Sequence, residues 1–147
     1  MKSDAKLVLA TAFLCGLFVG ALAFAIHQWA TQVRNVGVVR VIGVQIYRDE
    51  ALTDVLDIID WGMISPGENK SVSAWVKNTG NDAQKLTMWT EAWSPTNASD
   101  WITLSWDYAG SWISVDSSIP VTFTLSVDTS ITGITTFSFE VWVKGVH

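Results

Sequence analysis

From Leu7 to Ile26 the chain reads LVLATAFLCGLFVGALAFAI, an apolar run without one charged side chain. A helix of that length rises about 30 Å, the thickness of a bilayer's hydrocarbon core, so the run predicts a transmembrane helix over residues 7–26. Helical character is expected to persist as far as Gln32, and residues 27–36 read as a juxtamembrane linker or helix extension. The period then changes to two. Val121, Phe123, Leu125 and Val127 alternate with Thr122, Thr124 and Ser126, and Phe137, Phe139, Val141 and Val143 alternate with Ser138, Glu140, Trp142 and Lys144. Successive side chains of a strand point to opposite faces, so both segments predict half-buried strands. Less regular strands are predicted at Val38–Tyr47, Ile58–Met63, Ser71–Lys77, Lys85–Thr90, Ile102–Trp106 and Trp112–Val115. Turn residues separate them: Ser65-Pro66-Gly67-Glu68, Asn78-Thr79-Gly80-Asn81, Ser94-Pro95-Thr96-Asn97, Tyr108-Ala109-Gly110 and Thr132-Gly133. Seven or eight short strands with no intervening helical pattern predict a mainly β fold, a two-sheet antiparallel β-sandwich over residues 37–147.

Charge sets the expected topology. Lys2, Lys6 and the amino terminus precede the apolar run, whereas His27 and Gln28 follow it and the next cation is Arg34. The positive-inside rule therefore predicts a cytoplasmic N-terminus (residues 1–6), a single-pass anchor in the cell membrane and an extracytoplasmic sandwich. Ala23-Phe24-Ala25 fits the small-x-small pattern of a cleaved secretory signal, but the apolar run exceeds the usual signal core of about 7–15 residues, which favours a retained span. Gly16 and Gly20 form a GxxxG spacing that allows close approach of two helices, making them a candidate helix–helix contact. Trp29 falls at the depth where indoles favour the membrane interface.

Hydrophobic residues make up 49% of the 147 residues and charged ones 16%, too apolar for a disordered chain and less charged than the ~25% of ordinary soluble domains. With a net charge of −5 and no dense Lys/Arg cluster, nucleic acid is not an expected partner. The lone cysteine, Cys15, lies in the apolar run, which excludes an intramolecular disulfide or a cysteine-ligated zinc site. The two histidines are His27, beside the predicted membrane, and His147, the last residue, so a serine or cysteine triad lacks its base. Asp49, Glu50, Asp54, Asp57 and Asp60 form an acidic stretch; it reads as a solvated loop, with a weak Ca²⁺ site as the alternative, although the EF-hand spacing is missing. No phosphate-binding glycine loop is present. These features predict no enzyme, catalytic residue, cofactor or resident metal.

Tryptophan occurs nine times. Trp61 and Trp106 sit beside apolar neighbours and read as core. In contrast, the phase of Val72, Ala74 and Val76 turns Trp75 outward, Leu86 and Met88 turn Trp89 outward, and Phe139, Val141 and Val143 turn Trp142 outward. These three form a candidate interface for a protein or a glycan, cross-strand packing or cover by the segment after the helix being the structural alternatives. Asn69-Lys70-Ser71 and Asn97-Ala98-Ser99 match the N-glycosylation acceptor pattern in predicted turns, making Asn69 and Asn97 candidate modification sites.

Ile59-Asp60-Trp61-Gly62, Pro66-Gly67 and Val76-Lys77-Asn78-Thr79-Gly80-Asn81 together resemble the opening half of archaeal membrane-anchored extracytoplasmic immunoglobulin-like domains of the CARDB-like style. Trp93 to Asp100, Ile102 to Tyr108, Pro120-Val121-Thr122 and Gly133-Ile134-Thr135 continue the likeness, which covers roughly Gly43 to Lys144. The resemblance implies an immunoglobulin-like sandwich of the cell envelope with a structural or interaction role, and other envelope proteins or further copies as partners. The Pro-Gly and Asn-Thr-Gly pattern also resembles the biofilm-fibre proteins of the TasA and camelysin type. A helix followed directly by a sandwich is similar in architecture to archaeal type IV pilins and to the archaellum stator proteins, which implies an extracellular filament subunit as the alternative. A pilin-type cleavage would fall at Lys2-Ser3, but Asp4 and Lys6 would then interrupt the apolar segment. A surface module binding carbohydrate is a further alternative.

Overall fold

The computed structural model describes residues 35–147. The predicted span at 7–26, Cys15, Gly16, Gly20 and Trp29 lie outside them; among the described residues no helix is long and apolar enough to cross a membrane.

Eight strands follow one another: β1 (Val36–Ile42), β2 (Val44–Tyr47), β3 (Ile58–Asp60), β4 (Asn69–Asn78), β5 (Lys85–Ser94), β6 (Ile102–Trp106), β7 (Ser118–Val127) and β8 (Ser138–Val146). They form two four-stranded sheets, ordered β3-β1-β8-β5 in the first and β2-β4-β7-β6 in the second. The only helical element among the described residues is a 3-10 helix, Thr96–Asp100, between β5 and β6. The strongest alternations do what their phase predicts. Val121, Phe123, Leu125 and Val127 of β7 face Phe139, Val141 and Val143 of β8 inside the sandwich, with Ile46, Val76, Ile102 and Ile113 filling the space around them. Trp61 is 3% exposed, as expected of a core indole, while Trp106 is half-buried and stacks on Phe123 with ring centroids 6.0 Å apart.

The expectation of a wholly antiparallel sandwich is corrected at one pair. β1 and β8 run parallel, in register from Val36 opposite Ser138 to Ile42 opposite Lys144. No hairpin joins these strands, so nothing local imposes antiparallel pairing, and both begin at the same end of the sandwich. The predicted strand Val38–Tyr47 is two strands in different sheets. Gly43, at φ +72°, breaks the extended backbone and carries the chain from β1 in the first sheet to β2 in the second. At Trp112–Val115 the structure holds only an isolated bridge between Ile113 and Gln84, and the chain turns through Asp116 at φ +58° before a ladder can extend.

Polar residues close each end of the core. At one, Asn35 is buried: its Nδ2 donates to the Gly62 carbonyl, its Oδ1 accepts from Phe137 N–H, and its carbonyl accepts from Trp61 N–H. At the other, fully buried Asn78 donates from Nδ2 to the carbonyls of Asp82 and Ile113 and accepts at Oδ1 from Gly80 N–H. The Asn-Thr-Gly turn is therefore built by its own side chain, which satisfies backbone groups that burial would otherwise leave unpaired.

Candidate interaction surface

The outer face of the first sheet brings two of the predicted outward tryptophans together. Trp89 on β5 pairs in register with Trp142 on β8, and their rings stack with centroids 5.7 Å apart and planes 9° from parallel. Each indole N–H donates to a carboxylate two residues away on its own strand, Trp89 to Glu91 at 2.5 Å and Trp142 to Glu140 at 3.2 Å. Arg40 of β1 lies opposite Trp142 and donates from Nη2 to the other Glu140 oxygen at 2.9 Å. Arg40, Trp142 and Trp89 therefore form one row across three strands. Trp89, at the edge, is 36% exposed, and Ile58 on β3 is 49% exposed on the far side of the same face. The arrangement offers two flat apolar rings whose polar atoms are already satisfied, bordered by the cations Arg40 and Lys144 and the anions Glu91 and Glu140.

Trp75 is not part of this surface. It lies on β4, on the outer face of the second sheet, opposite Tyr47 of β2 and Pro120 of β7. Much of that face carries short hydroxyl side chains, Ser71 and Ser73 on β4, Thr122, Thr124 and Ser126 on β7, Thr103 and Ser105 on β6, while Lys77 of β4 lies on it opposite Gln45 and Ser118 and pairs with Asp116 at 3.6 Å. Ser71 and Thr124 share a hydrogen bond of 2.9 Å. The three tryptophans thus divide between opposite faces of the sandwich.

One exposed aromatic falls in a predicted strand that does not form. Trp112, 57% exposed, sits on the chain segment that bridges to the start of β5, with the Lys85 ammonium 5.1 Å from its ring centroid. It lies in irregular backbone without alternation, so no strand phase marks it; the Gln84–Ile113 bridge and Lys85 place it beside β5.

Of the acidic stretch, Asp49 and Asp54 lie in a loop and are satisfied within it, whereas Asp60 is the last residue of β3 and accepts from Gly62 N–H. The Asp49 carboxylate accepts from the Thr53 hydroxyl at 2.6 Å and from Thr53 and Asp54 N–H, while Asp54 pairs with Arg48 at 3.5 Å. The Thr53 hydroxyl and then the Asp54 amide hold the Asp49 carboxyl below its ordinary pKa. Among the described residues no three His, Cys, Asp or Glu side chains converge in a way that could hold a metal ion. Asn69 and Asn97, the candidate acceptors, are both exposed; Asn69 is the first residue of β4 rather than part of a turn, and Asn97 lies in the 3-10 helix. No protein-family model matches the chain, and no curated protein matches it.

Proposed function

We propose that this protein is a non-enzymatic cell-envelope component: an immunoglobulin-like sandwich held outside the cell by one N-terminal span, with a structural or protein-interaction role. The observation that carries the interaction role is the outward stack of Trp89 on Trp142. Large aromatic rings with satisfied polar atoms and charged neighbours are the composition of interface anchors, which lose little conformational entropy on binding. The uncharged run at 7–26, preceded by Lys2 and Lys6, supports the anchoring.

The test replaces Trp89 or Trp142 with Ser in the full-length chain, with a photo-crosslinker placed at Thr87 on the same face. Association in native membranes should weaken by about thirtyfold or more, the equivalent of ~2 kcal/mol for a buried aromatic anchor, while thermal melting of the domain falls only by the several degrees that loss of the indole stack costs. Retained association together with a sharply lowered melting temperature would contradict the proposal. The partner is another envelope protein or a further copy of the chain. The filament alternative differs in processing: a chain starting after Ser3 or near Ala25 supports it, whereas a retained N-terminus supports the anchor.

A second reading has its own observation. The row Tyr47, Trp75 and Pro120 beside the hydroxyl-rich part of the second sheet's outer face suits a glycan, with sugar rings stacked on aromatics and hydroxyls exchanging hydrogen bonds. Glycan-dependent quenching of tryptophan fluorescence that disappears in Trp75→Ser would favour it.

A further inference from the structure

We infer that Asn97 is an N-glycan attachment site of the folded domain and that Asn69 is a poorer acceptor; this rests on the extracytoplasmic placement proposed above. The five asparagines divide by what the fold does with them, exposed Asn81 having Ala83 where an acceptor needs Ser or Thr. Asn35 and Asn78 are buried, and their carboxamides hold the ends of the core together. Asn69 and Asn97 are exposed, and each is followed two residues later by an exposed serine, Ser71 and Ser99. Solvent access to both the acceptor amide and the hydroxyl is what the modification requires.

Backbone pairing separates the two. A transferase must draw the three-residue acceptor segment into its own site, so the local hydrogen bonds have to open. Asn69, Lys70 and Ser71 lie in a ten-residue strand in register with Ser126, Leu125 and Thr124, and the Ser71 hydroxyl is engaged by Thr124. Asn97-Ala98-Ser99 lies in a five-residue 3-10 helix outside either sheet. It is held by single turns, Ala98 N–H to the Pro95 carbonyl, Trp101 N–H to the Ala98 carbonyl and the Ser99 hydroxyl to the Thr96 carbonyl. The Ala98 side chain is fully buried, so opening this segment between β5 and β6 withdraws one methyl group from the core in addition to breaking these single turns. In the transfer, the Asn97 amide nitrogen forms the bond to the anomeric carbon of a lipid-linked oligosaccharide. The carbon–oxygen bond to the lipid pyrophosphate breaks, the pyrophosphate leaves with the electron pair, and the amide nitrogen loses one proton.

The experiment produces the full-length chain in a host whose membranes carry an oligosaccharide transferase, alongside Asn97→Gln, Asn69→Gln and Ser99→Ala. Intact mass and glycopeptide mass are read from each, and protease is applied to intact cells in parallel. The expected result is a protease-accessible domain whose mass exceeds that of the polypeptide by one glycan, lost in both Asn97→Gln and Ser99→Ala. Occupancy at Asn69 is expected to be several-fold lower than at Asn97. An accessible but unmodified domain, in membranes that modify a control acceptor, overturns the inference and leaves the extracytoplasmic reading standing. A protected, unmodified domain overturns both. Equal or higher occupancy at Asn69 overturns the argument from backbone pairing.

Discussion

Gln84 is 5% exposed, and three glycines make room for its carboxamide. A Cβ on Gly145 would stand 1.7 Å from its Oε1, one on Gly80 2.2 Å from its Nε2, and one on Gly43 3.3 Å from Oε1. All three glycines face the end of the Gln84 side chain, which would have to leave its buried place to admit a methyl. Gly145→Ala should therefore destabilise the domain by roughly 1–3 kcal/mol, the usual cost of overpacking. Most of that cost should vanish in a Gln84→Ala background. Denaturant melts of the single and double variants check this, and a cost unchanged by Gln84→Ala would contradict it. In the core proper, Phe123→Ala should cost ~3–5 kcal/mol because its ring is completely buried. Thr124→Ala, one position along and on the outer face, should cost well under that; equal losses would mean the faces are assigned wrongly.

The Phe123 and Thr124 pair shows what a sequence makes legible. A strand buried on one side repeats its hydrophobicity every two residues, so the inward faces of β7 and β8 and the outward turn of Trp75, Trp89 and Trp142 could be read from phase. Phase says nothing about which strand lies next to which. It therefore could not show that Trp89 and Trp142 meet while Trp75 faces the opposite side. The parallel direction of β1 was hidden for the same reason, as was the sheet change at Gly43. Asn35, in the stretch read as linker, gave no signal because its partners Gly62 and Phe137 are distant in sequence.

At the scale of elements, the edges of the sheets are unequal. β2 is covered by Val55 and Leu56, and the start of β5 by Ile113 and by the Tyr108 hydroxyl, which accepts from Leu86 N–H at 3.1 Å. Such cover keeps an edge strand from pairing with another chain. Between β5 and β8 the stacked indoles should behave as a coupled pair. A double-mutant cycle of Trp89→Ala and Trp142→Ala should give an interaction of ~0.5–1.5 kcal/mol, and additive losses would mean that the stack contributes nothing beyond burial. The loop after β2 carries the pH signature. Because its hydrogen bonds depress the Asp49 pKa, their contribution is present above the ordinary aspartate value of 3.8 and is lost as pH falls through the lower, folded value. The Asp49 carboxyl resonance should titrate with a midpoint below 3.8, and Thr53→Val should raise it. A midpoint at the ordinary value in both would contradict the geometry.

For the whole molecule, the sandwich supplies a rigid frame with two chemically different outer faces. The first presents paired indoles among charges; the second is a hydroxyl-rich surface with Trp75 and the Lys77–Asp116 pair at its side. The proposed role requires these faces to meet the exterior of the cell, and the apolar run at 7–26 is the feature that would hold them there. Thiol labelling of intact cells tests this most directly, using Thr87→Cys on the exposed face of β5 in a Cys15→Ser background and a maleimide that does not cross membranes. The account predicts that the reagent labels Cys-substituted position 87 as fully before lysis as after it. Labelling only after lysis would place the sandwich inside the cell and contradict the account.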